Sequence, residues 1–191
     1  MPVQFRGLNS EHIKACFLKT YHCYERLHPH PLIVRQRAME RTTMNAQPVL
    51  NWRFLSRARR HYLINLSNNM HLEGRIAIHE LPEDVLVGWF AHELGHLCDY
   101  LHRSALSMVR FGFGYLIFPN YRTGAERKAD IYAIEHGFAD ELIATKKYIL
   151  EKSALPDAYK KRIELYYMSA DEVALMVQGE EEEALRMDRL F

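Results

Sequence analysis

The sequence predicts an α+β fold, in which a small twisted mixed sheet of three or four strands precedes a mostly helical second half. Before residue 82, short runs rich in β-branched and aromatic residues are bounded by turn residues, a pattern typical of strands. After residue 82, apolar residues recur every three or four positions, as they do along one face of a helix. A chain of 191 residues with 48% hydrophobic content can build a sizeable core, so we expect one domain over residues 1–191. Its parts would be a helix and the sheet in 1–81, two helices and a connecting loop in 82–138, and further helices in 139–191.

A helix is predicted to open the chain. Asn9 or Ser10 can cap its start, and its apolar periodicity continues to about Leu27. Prolines at 29 and 31 then end it. A cluster near this end raises the alternative of a second metal site, but its spacing matches no known ligand pattern and a turn with exposed histidines is favoured. The cluster consists of His22, Cys23, His28 and His30.

Four segments after this helix have the composition of strands. They are residues 32–37, 42–49, 61–67 and 74–81. Pro48 indicates that the second is an edge strand or the end of a strand, because proline cannot donate to a sheet ladder. A basic run surrounds Trp52 between the second and third segments, and it could meet phosphate or an acidic partner, although a solvated connector is favoured. The run consists of Arg53, Arg57, Arg59 and Arg60.

The best-defined helix is predicted over residues 83–101. Pro82 and the acidic residues that follow it suit a helix start, where negative charge complements the dipole. Within this helix, His92 and His96 are four residues apart, so both imidazoles leave the same face one turn apart. Two ring nitrogens placed in this way can reach one zinc ion at about 2.0–2.1 Å. Glu93 lies beside the first histidine and can take a proton from a water that the metal acidifies.

A catalytic zinc site needs a third protein ligand. Glu126 and Asp130 share one face of a downstream helix, next to small residues that permit close approach of another helix. Glu126 can be the third ligand, and Asp130 can accept the outer N–H of a ligating histidine. The alternative for this pair is an ordinary solvated helix face. His102 is a weaker candidate ligand, because on a continuing helix it would turn to the side opposite His96.

His92-Glu93-x-x-His96 followed by Glu126-x-x-x-Asp130 resembles the gluzincin zinc metallopeptidases, over roughly residues 74–138. The resemblance implies a zincin-like fold and a zinc cofactor. It implies His92, His96 and Glu126 as ligands, Glu93 as general base, and Asp130 as the partner of a ligating histidine. The histidine motif of the metzincins is absent after His96. In proteins of this kind a strand before the metal helix borders the cleft, and residues 74–81 would be the strand with which an extended peptide pairs.

Residues 102–122 are predicted to form a long connector that shapes the substrate pocket, with Gly112 and Gly114 allowing it to flex. Three residues in it are candidates to stabilise the oxyanion of a tetrahedral intermediate: Tyr115, Tyr121 and Arg122. Thr123 can cap the glutamate helix, which would place Glu126 in a capping box as well as on the metal. These two roles conflict, so the alternatives are an earlier start of the helix or a different cap. That helix is predicted to end near His136-Gly137.

Further helices are expected over residues 139–152, 156–167 and 170–178, with Ser169 and Glu172 forming a capping box and residues 180–183 a solvated acidic face.

A net charge of +1 gives no whole-chain argument for nucleic acid, and three cysteines do not indicate a disulfide framework. No secretory signal or membrane-spanning run is visible, so we expect a cytoplasmic location.

The expected function is zinc-dependent hydrolysis of peptide bonds in a peptide or protein substrate. Two alternatives remain at this point. One is a catalytically silent zinc-binding regulatory protein, and the other is a nucleic-acid-associated peptidase that docks through residues 53–60.

Overall fold

Four strands in the first third of the chain form a mixed sheet in the order β1–β2–β4–β3. The structure is a computed structural model, and it describes residues 3–39, 42–69, 76–151 and 157–188. The strands are β1 (Gln4–Arg6), β2 (Leu32–Arg37), β3 (Met44–Pro48) and β4 (Tyr62–Ser67). The helices are α1 (Glu11–His22), α2 (Glu83–Leu101), α3 (Ala105–Ile117), α4 (Pro119–Glu135), α5 (Ala139–Glu151), α6 (Asp157–Tyr166) and α7 (Ala170–Asp188). The predicted α+β class, with a small mixed sheet before a helical C-terminal half, is confirmed.

Strand β3 lies at one edge of the sheet, as Pro48 predicted. β1 pairs with β2 and β2 pairs with β4 in parallel, whereas β3 runs antiparallel to β4 with Ala46 opposite Ile64. β4 is buried along its whole length because helices and neighbouring strands surround it. The edge strand contacts α2, which brings the sheet beside the predicted motif helix.

Helix α2 is the centre of the fold, and every residue from Val85 to Tyr100 is buried. It packs against α1, α4 and α5. Two glycines permit this close packing. A Cβ built on Gly88 would lie 2.1 Å from the Glu141 carbonyl oxygen of α5, and one built on Gly95 would lie 2.4 Å from the Ala129 carbonyl oxygen of α4. The bounds of α2 agree with the predicted helix over residues 83–101.

The strand predicted over residues 74–81 is wrong for the part that the structure describes; residues 74 and 75 lie outside it. Ile78–Glu80 is a turn of 3-10 helix, and only an isolated bridge joins Asn69 to Ala77. Ile78 and Leu81, three residues apart, are the buried positions, whereas His79 and Glu80 are exposed. This spacing fits one helical turn that leads into α2, so burial here follows a period of three and not of two.

The predicted flexible connector over residues 102–122 is also wrong. Ser104 caps α3, its hydroxyl oxygen accepting the Ser107 amide at 3.1 Å, and the helix continues through both glycines. Helix α4 then starts at Pro119, a favourable first position, so Thr123 lies inside the helix and its hydroxyl donates to the Pro119 carbonyl at 3.2 Å. Glu126 is therefore two turns into α4, and the predicted conflict between capping and metal binding does not arise.

Other boundaries differ less. α1 ends at His22 and a 3-10 turn follows at Glu25–Leu27, so the predicted helix to Leu27 was too long. Strand β1 was not predicted, and α7 extends beyond the predicted residue 178 to Asp188. The Ser169–Glu172 capping box is confirmed, with amide–side-chain hydrogen bonds of 2.8 and 3.1 Å. None of the described helices is long and apolar enough to cross a membrane.

Candidate metal centre

Helices α2 and α4 bring three buried side chains together. His92 Nε2 lies 3.0 Å and His96 Nε2 lies 3.2 Å from the same oxygen, Oε2 of Glu126. The three potential ligand atoms lie within 4.8 Å of one another. Among the residues that the structure describes, this is the one group of three or more His, Cys, Asp or Glu side chains placed to hold a metal ion. His102 does not join it; it follows the end of α2 and is exposed.

Small residues on both helices make this meeting possible. Gly95 faces the backbone of α4 at Ala129, and Ala125 and Ala133 are buried one turn to either side of it. Without a bulky side chain between the backbones, the side chains next to the contact can reach across it. The sequence pattern had indicated this close approach from the alanines of α4.

Asp130 holds His92 from the other side of its ring. His92 Nδ1 donates to Asp130 Oδ1 at 2.8 Å, while Asp130 Oδ2 accepts from Lys146 Nζ at 2.8 Å and from the Met168 amide at 3.1 Å. Burial alone would raise the pKa of Asp130, but the Lys146 ammonium and the His92 hydrogen bond lower its pKa below the ordinary value. The carboxylate therefore fixes a proton on Nδ1 and directs Nε2 at Glu126.

The chemistry of this cluster fits a bound cation. A neutral His92 would present an acceptor nitrogen to an acceptor oxygen of Glu126. Burial lowers the pKa of His92, yet its hydrogen bonds to Asp130 and Glu126 outweigh burial and raise the pKa to about 10. Burial would raise the pKa of Glu126, but the charge of His96 and hydrogen bonds from both histidines hold it well below its ordinary value. Positive charge is thus strongly favoured between these carboxylates, and a metal ion can supply it.

Glu93 lies next to the cluster without belonging to it. Its side chain is buried next to the Ala46 backbone of β3, and Oε2 has no hydrogen-bond partner among the described residues. Burial raises the pKa of Glu93 in spite of the opposing charges of His96 and His92. A buried carboxylate oxygen without a partner is costly unless something else binds it, so this atom is available to a water or a substrate.

Of the three candidates for stabilising an oxyanion, only Tyr115 reaches the cluster. Its hydroxyl donates to Glu126 Oε1. Arg122 instead supports Tyr115: its Nε donates to the Tyr115 carbonyl at 3.1 Å, and its guanidinium lies 4.9 Å from the centre of the Tyr115 ring. Tyr121 packs against Phe111, with ring centres 5.8 Å apart, and takes no part in the cluster.

A cavity of about 610 Å³ opens onto these residues. One wall is the edge strand β3, a second is the outward part of α3, and a third includes residues of α5 and Tyr167. His92, Glu93, His96 and Glu126 all line it. Its volume is typical of a ligand-binding cleft, and its walls are largely apolar around a few convergent polar groups.

Two side chains of this centre, Lys146 and Tyr167, were not predicted. Lys146 is buried, and its ammonium lies 5.4 Å from the centre of the Tyr167 ring, which in turn contacts His92 at 5.3 Å. The buried residues of α5, which are Leu142, Thr145, Lys146 and Ile149, recur at helical spacing. That spacing places Lys146 on the inward face, and it was the available signal for a buried cation.

In comparisons with protein-family models, with curated proteins and with solved structures, nothing matches this chain.

Proposed function

We propose that this protein is a zinc-dependent metallopeptidase that hydrolyses peptide bonds. The observation that carries the proposal is the position of Glu93, a buried carboxylate with one unpartnered oxygen, beside a His/His/Glu cluster in the wall of a cavity. A regulatory metal site would not require a general base at this position. The arrangement matches what metal-assisted hydrolysis requires: ligands, a base and a place for substrate.

Zinc suits this donor set. His92, His96 and Glu126 would supply two imidazole nitrogens and one carboxylate oxygen, and three protein ligands leave a position for water or substrate. When bound, the zinc would acidify a water molecule and polarise the substrate carbonyl. Asp130 holds the His92 ring in the tautomer that presents Nε2 to the metal.

The remaining steps belong to side chains of this chain. Glu93 takes a proton from the attacking water and passes it to the leaving amine nitrogen. Burial raises the pKa of Glu93 above the ordinary glutamate value, which is the direction that makes its carboxylate a stronger base. Tyr115, held by Arg122, orients Glu126 through its hydroxyl hydrogen, and it would donate to a developing oxyanion only by exchanging that hydrogen bond.

The edge strand supports a polypeptide substrate. Residues of β3 line the cavity, and β3 is an outer strand of the sheet. An extended chain can lie along such an edge and pair with its backbone. This role was predicted for residues 74–81; β3, which contacts α2, would take it instead.

The test is metal content and turnover of the same purified variants. We expect one zinc per chain by mass spectrometry in the parent and in Glu93→Gln, and none in Glu126→Ala. Glu135→Ala is the matched control, because Glu135 is an exposed glutamate on the same helix. Turnover of an unstructured peptide library should fall about 100-fold or more in Glu93→Gln.

Three outcomes would overturn the proposal. Zinc retained in Glu126→Ala would remove Glu126 from the ligand set. Full turnover in Glu93→Gln would remove Glu93 as the general base. Zinc bound by the parent with no cleavage of any peptide would leave a regulatory metal site.

A further inference from the structure

Helix α3 exposes an unusual amount of apolar surface. Leu106, Val109, Phe113 and Leu116 recur at intervals of three and four residues, and each has between 60% and 75% of its surface exposed. The opposite side of the helix packs inward through Met108 and Phe111. The helix is therefore apolar on its outer side as well as its inner side, which is atypical of a surface helix in contact with water alone.

A second exposed apolar segment lies beside it. Leu50, Trp52 and Leu55 follow the edge strand and are between 67% and 79% exposed. Leu50 lines the same cavity as Val109, Phe113 and Leu116, so both segments border one opening. We call these seven residues the mouth face: Leu50, Trp52, Leu55, Leu106, Val109, Phe113 and Leu116. Monomeric proteins rarely leave so many large apolar side chains together in water without a binding role.

The two chain segments that carry the mouth face have basic residues and no acidic ones, whereas the carboxylates of Glu93, Glu126 and Asp130 are buried in the cavity wall. Residues 42–69 and 100–125, which build it, contain no Asp or Glu, although the whole chain has 24 acidic residues and a net charge of +1. Arg53, Arg57 and Arg59 are exposed next to Trp52 and Leu55. Arg110 is exposed on α3 among the apolar residues of the stripe. The surroundings of the mouth face are therefore suited to an anionic partner.

We propose that the mouth face docks on the surface of an anionic lipid bilayer. Leucine, phenylalanine and tryptophan side chains would enter the boundary between headgroups and acyl chains, where tryptophan is favoured. The arginines would lie at the level of the lipid phosphates, with the stem of each side chain covering apolar surface. This docking does not depend on the metal centre, but it would bring the cavity opening to the membrane surface.

A bilayer accounts for the combination better than a nucleic acid does. Arginines alone would fit a phosphodiester backbone, but large aliphatic side chains at the centre of the contact would be pressed against charged phosphates. A bilayer offers both an anionic layer and an apolar layer behind it. The two kinds of residue on the mouth face match those two layers.

Tryptophan fluorescence provides an internal probe of docking. The chain has two tryptophans, and they differ in exposure: Trp52 belongs to the mouth face, whereas Trp89 is 8% exposed. We would titrate the full chain with vesicles of phosphatidylcholine, and with vesicles of phosphatidylcholine and phosphatidylglycerol in equal parts. We expect a blue shift and quenching by brominated lipid only with the anionic vesicles. Both signals should be lost in Trp52→Phe while vesicle co-sedimentation continues.

Paired variants separate the two layers of the contact. Phe113→Ser with Leu116→Ser should abolish lipid quenching. Arg57→Gln with Arg59→Gln should weaken co-sedimentation by about 25-fold at low salt, about fivefold for each arginine, and by little at high salt. The apolar pair is matched by Leu165→Ser with Leu175→Ser, and the arginine pair by Lys147→Gln with Lys161→Gln. These controls change exposed residues on other helices, and both should bind vesicles as the parent does.

Three results would overturn the proposal. One is vesicle binding that does not depend on the contact proposed: binding is equal with and without phosphatidylglycerol, or neither the serine pair nor the glutamine pair of substitutions changes it. Another is salt-sensitive binding of duplex DNA that competes with vesicles and needs the same arginines. The third is self-association, detected by light scattering and lost in Phe113→Ser with Leu116→Ser, because the mouth face would then be a contact between two copies. Circular dichroism verifies that each variant is folded.

Discussion

Gly95 of α2 lies against the carbonyl oxygen of Ala129 in α4, so close that a Cβ on the glycine would be 2.4 Å from that oxygen. This contact sets the distance between the two helices that supply the candidate ligands. His96 follows Gly95 directly, and Glu126 and Asp130 lie on either side of Ala129 in the sequence. The candidate metal centre therefore depends on a position that has no side chain and no chemistry of its own.

Gly95→Ala should damage both stability and the metal centre. A methyl group 2.4 Å from a backbone oxygen forces the helices apart, and overpacking of this kind costs about 3 kcal/mol, more than the gain of about 1 kcal/mol in helix propensity. We expect lower stability in urea unfolding and weaker zinc binding. The control is Gly124→Ala on α4, where a Cβ meets nothing within 4 Å. That variant should be slightly more stable than the parent, and equal destabilisation of both variants would contradict this account.

Asp130→Asn should weaken metal binding without removing a ligand. Asn keeps the size of Asp130 but loses the charge that fixes the Nδ1 proton of His92, and loss of such a partner costs about 10- to 100-fold in metal affinity. The measurement is competition for zinc with a chromophoric chelator. Unchanged affinity would mean that the His92 ring is held by other contacts, such as its packing against Tyr167.

Lys146→Met should destabilise the protein in a pH-dependent manner. Removing one member of a buried ion pair costs about 3 kcal/mol, since the Asp130 carboxylate is left without its ammonium partner. Burial then raises the pKa of Asp130, whereas in the parent Lys146 and His92 hold it below the ordinary value. A lowered folded-state pKa contributes stability that is present above the ordinary aspartate pKa and lost as the pH falls through the folded value.

The difference between parent and Lys146→Met should therefore be largest near neutral pH and shrink in acid. Unfolding is followed in chelator so that metal binding does not contribute. Lys147→Met, at the exposed neighbouring position, should track the parent at every pH. A difference that stayed constant into acid would show that the lysine contributes packing and not charge.

The motif helix and the grouping of His92, His96 and Glu126 could be predicted because their signals are local. Apolar periodicity and an acidic start defined residues 83–101, and the histidine spacing with small residues on α4 indicated which faces meet. Strand β2 was predicted with its observed bounds for the same reason, since a β-rich run lies between turn residues.

Elements whose identity depends on tertiary packing were predicted wrongly. Gly112 and Gly114 suggested a flexible connector, but a buried face and a serine cap make α3 a helix, and Gly114 is where the Tyr121 ring packs, 3.0 Å from a built Cβ. Alternation of Ile76 and Ile78 suggested a strand, whereas burial follows Ile78 and Leu81. Buried cations are the hardest case, because lysine and arginine are usually exposed. The spacing of buried residues on α5 is a signal for Lys146, whereas Arg60 follows a short 3-10 turn that offers none.

Arg60 is one of these exceptions, and its replacement provides the last prediction. The basic run at residues 53–60 was interpreted as a solvated connector, yet the Arg60 side chain is fully buried. Its guanidinium donates to the carbonyls of Tyr100 and Arg103 at 3.0 and 3.1 Å, at the end of α2, and to the Phe54 carbonyl at 3.1 Å. A cation at the last carbonyls of a helix complements its dipole, and here it is a further donor to the Tyr100 carbonyl, which also accepts the Arg103 amide at 3.2 Å.

We expect Arg60→Met to lower the unfolding free energy by about 3 kcal/mol, because buried carbonyls lose their donor while the volume is kept. Arg60→Lys should restore only part of the loss, since a single ammonium cannot reproduce the planar array of donors. Arg59→Met, at the exposed neighbouring position, should change stability by less than about 0.5 kcal/mol. Urea unfolding of the three variants compares them directly. If Arg60→Met is as stable as the parent, the end of α2 is held by packing alone and the buried arginine has another role.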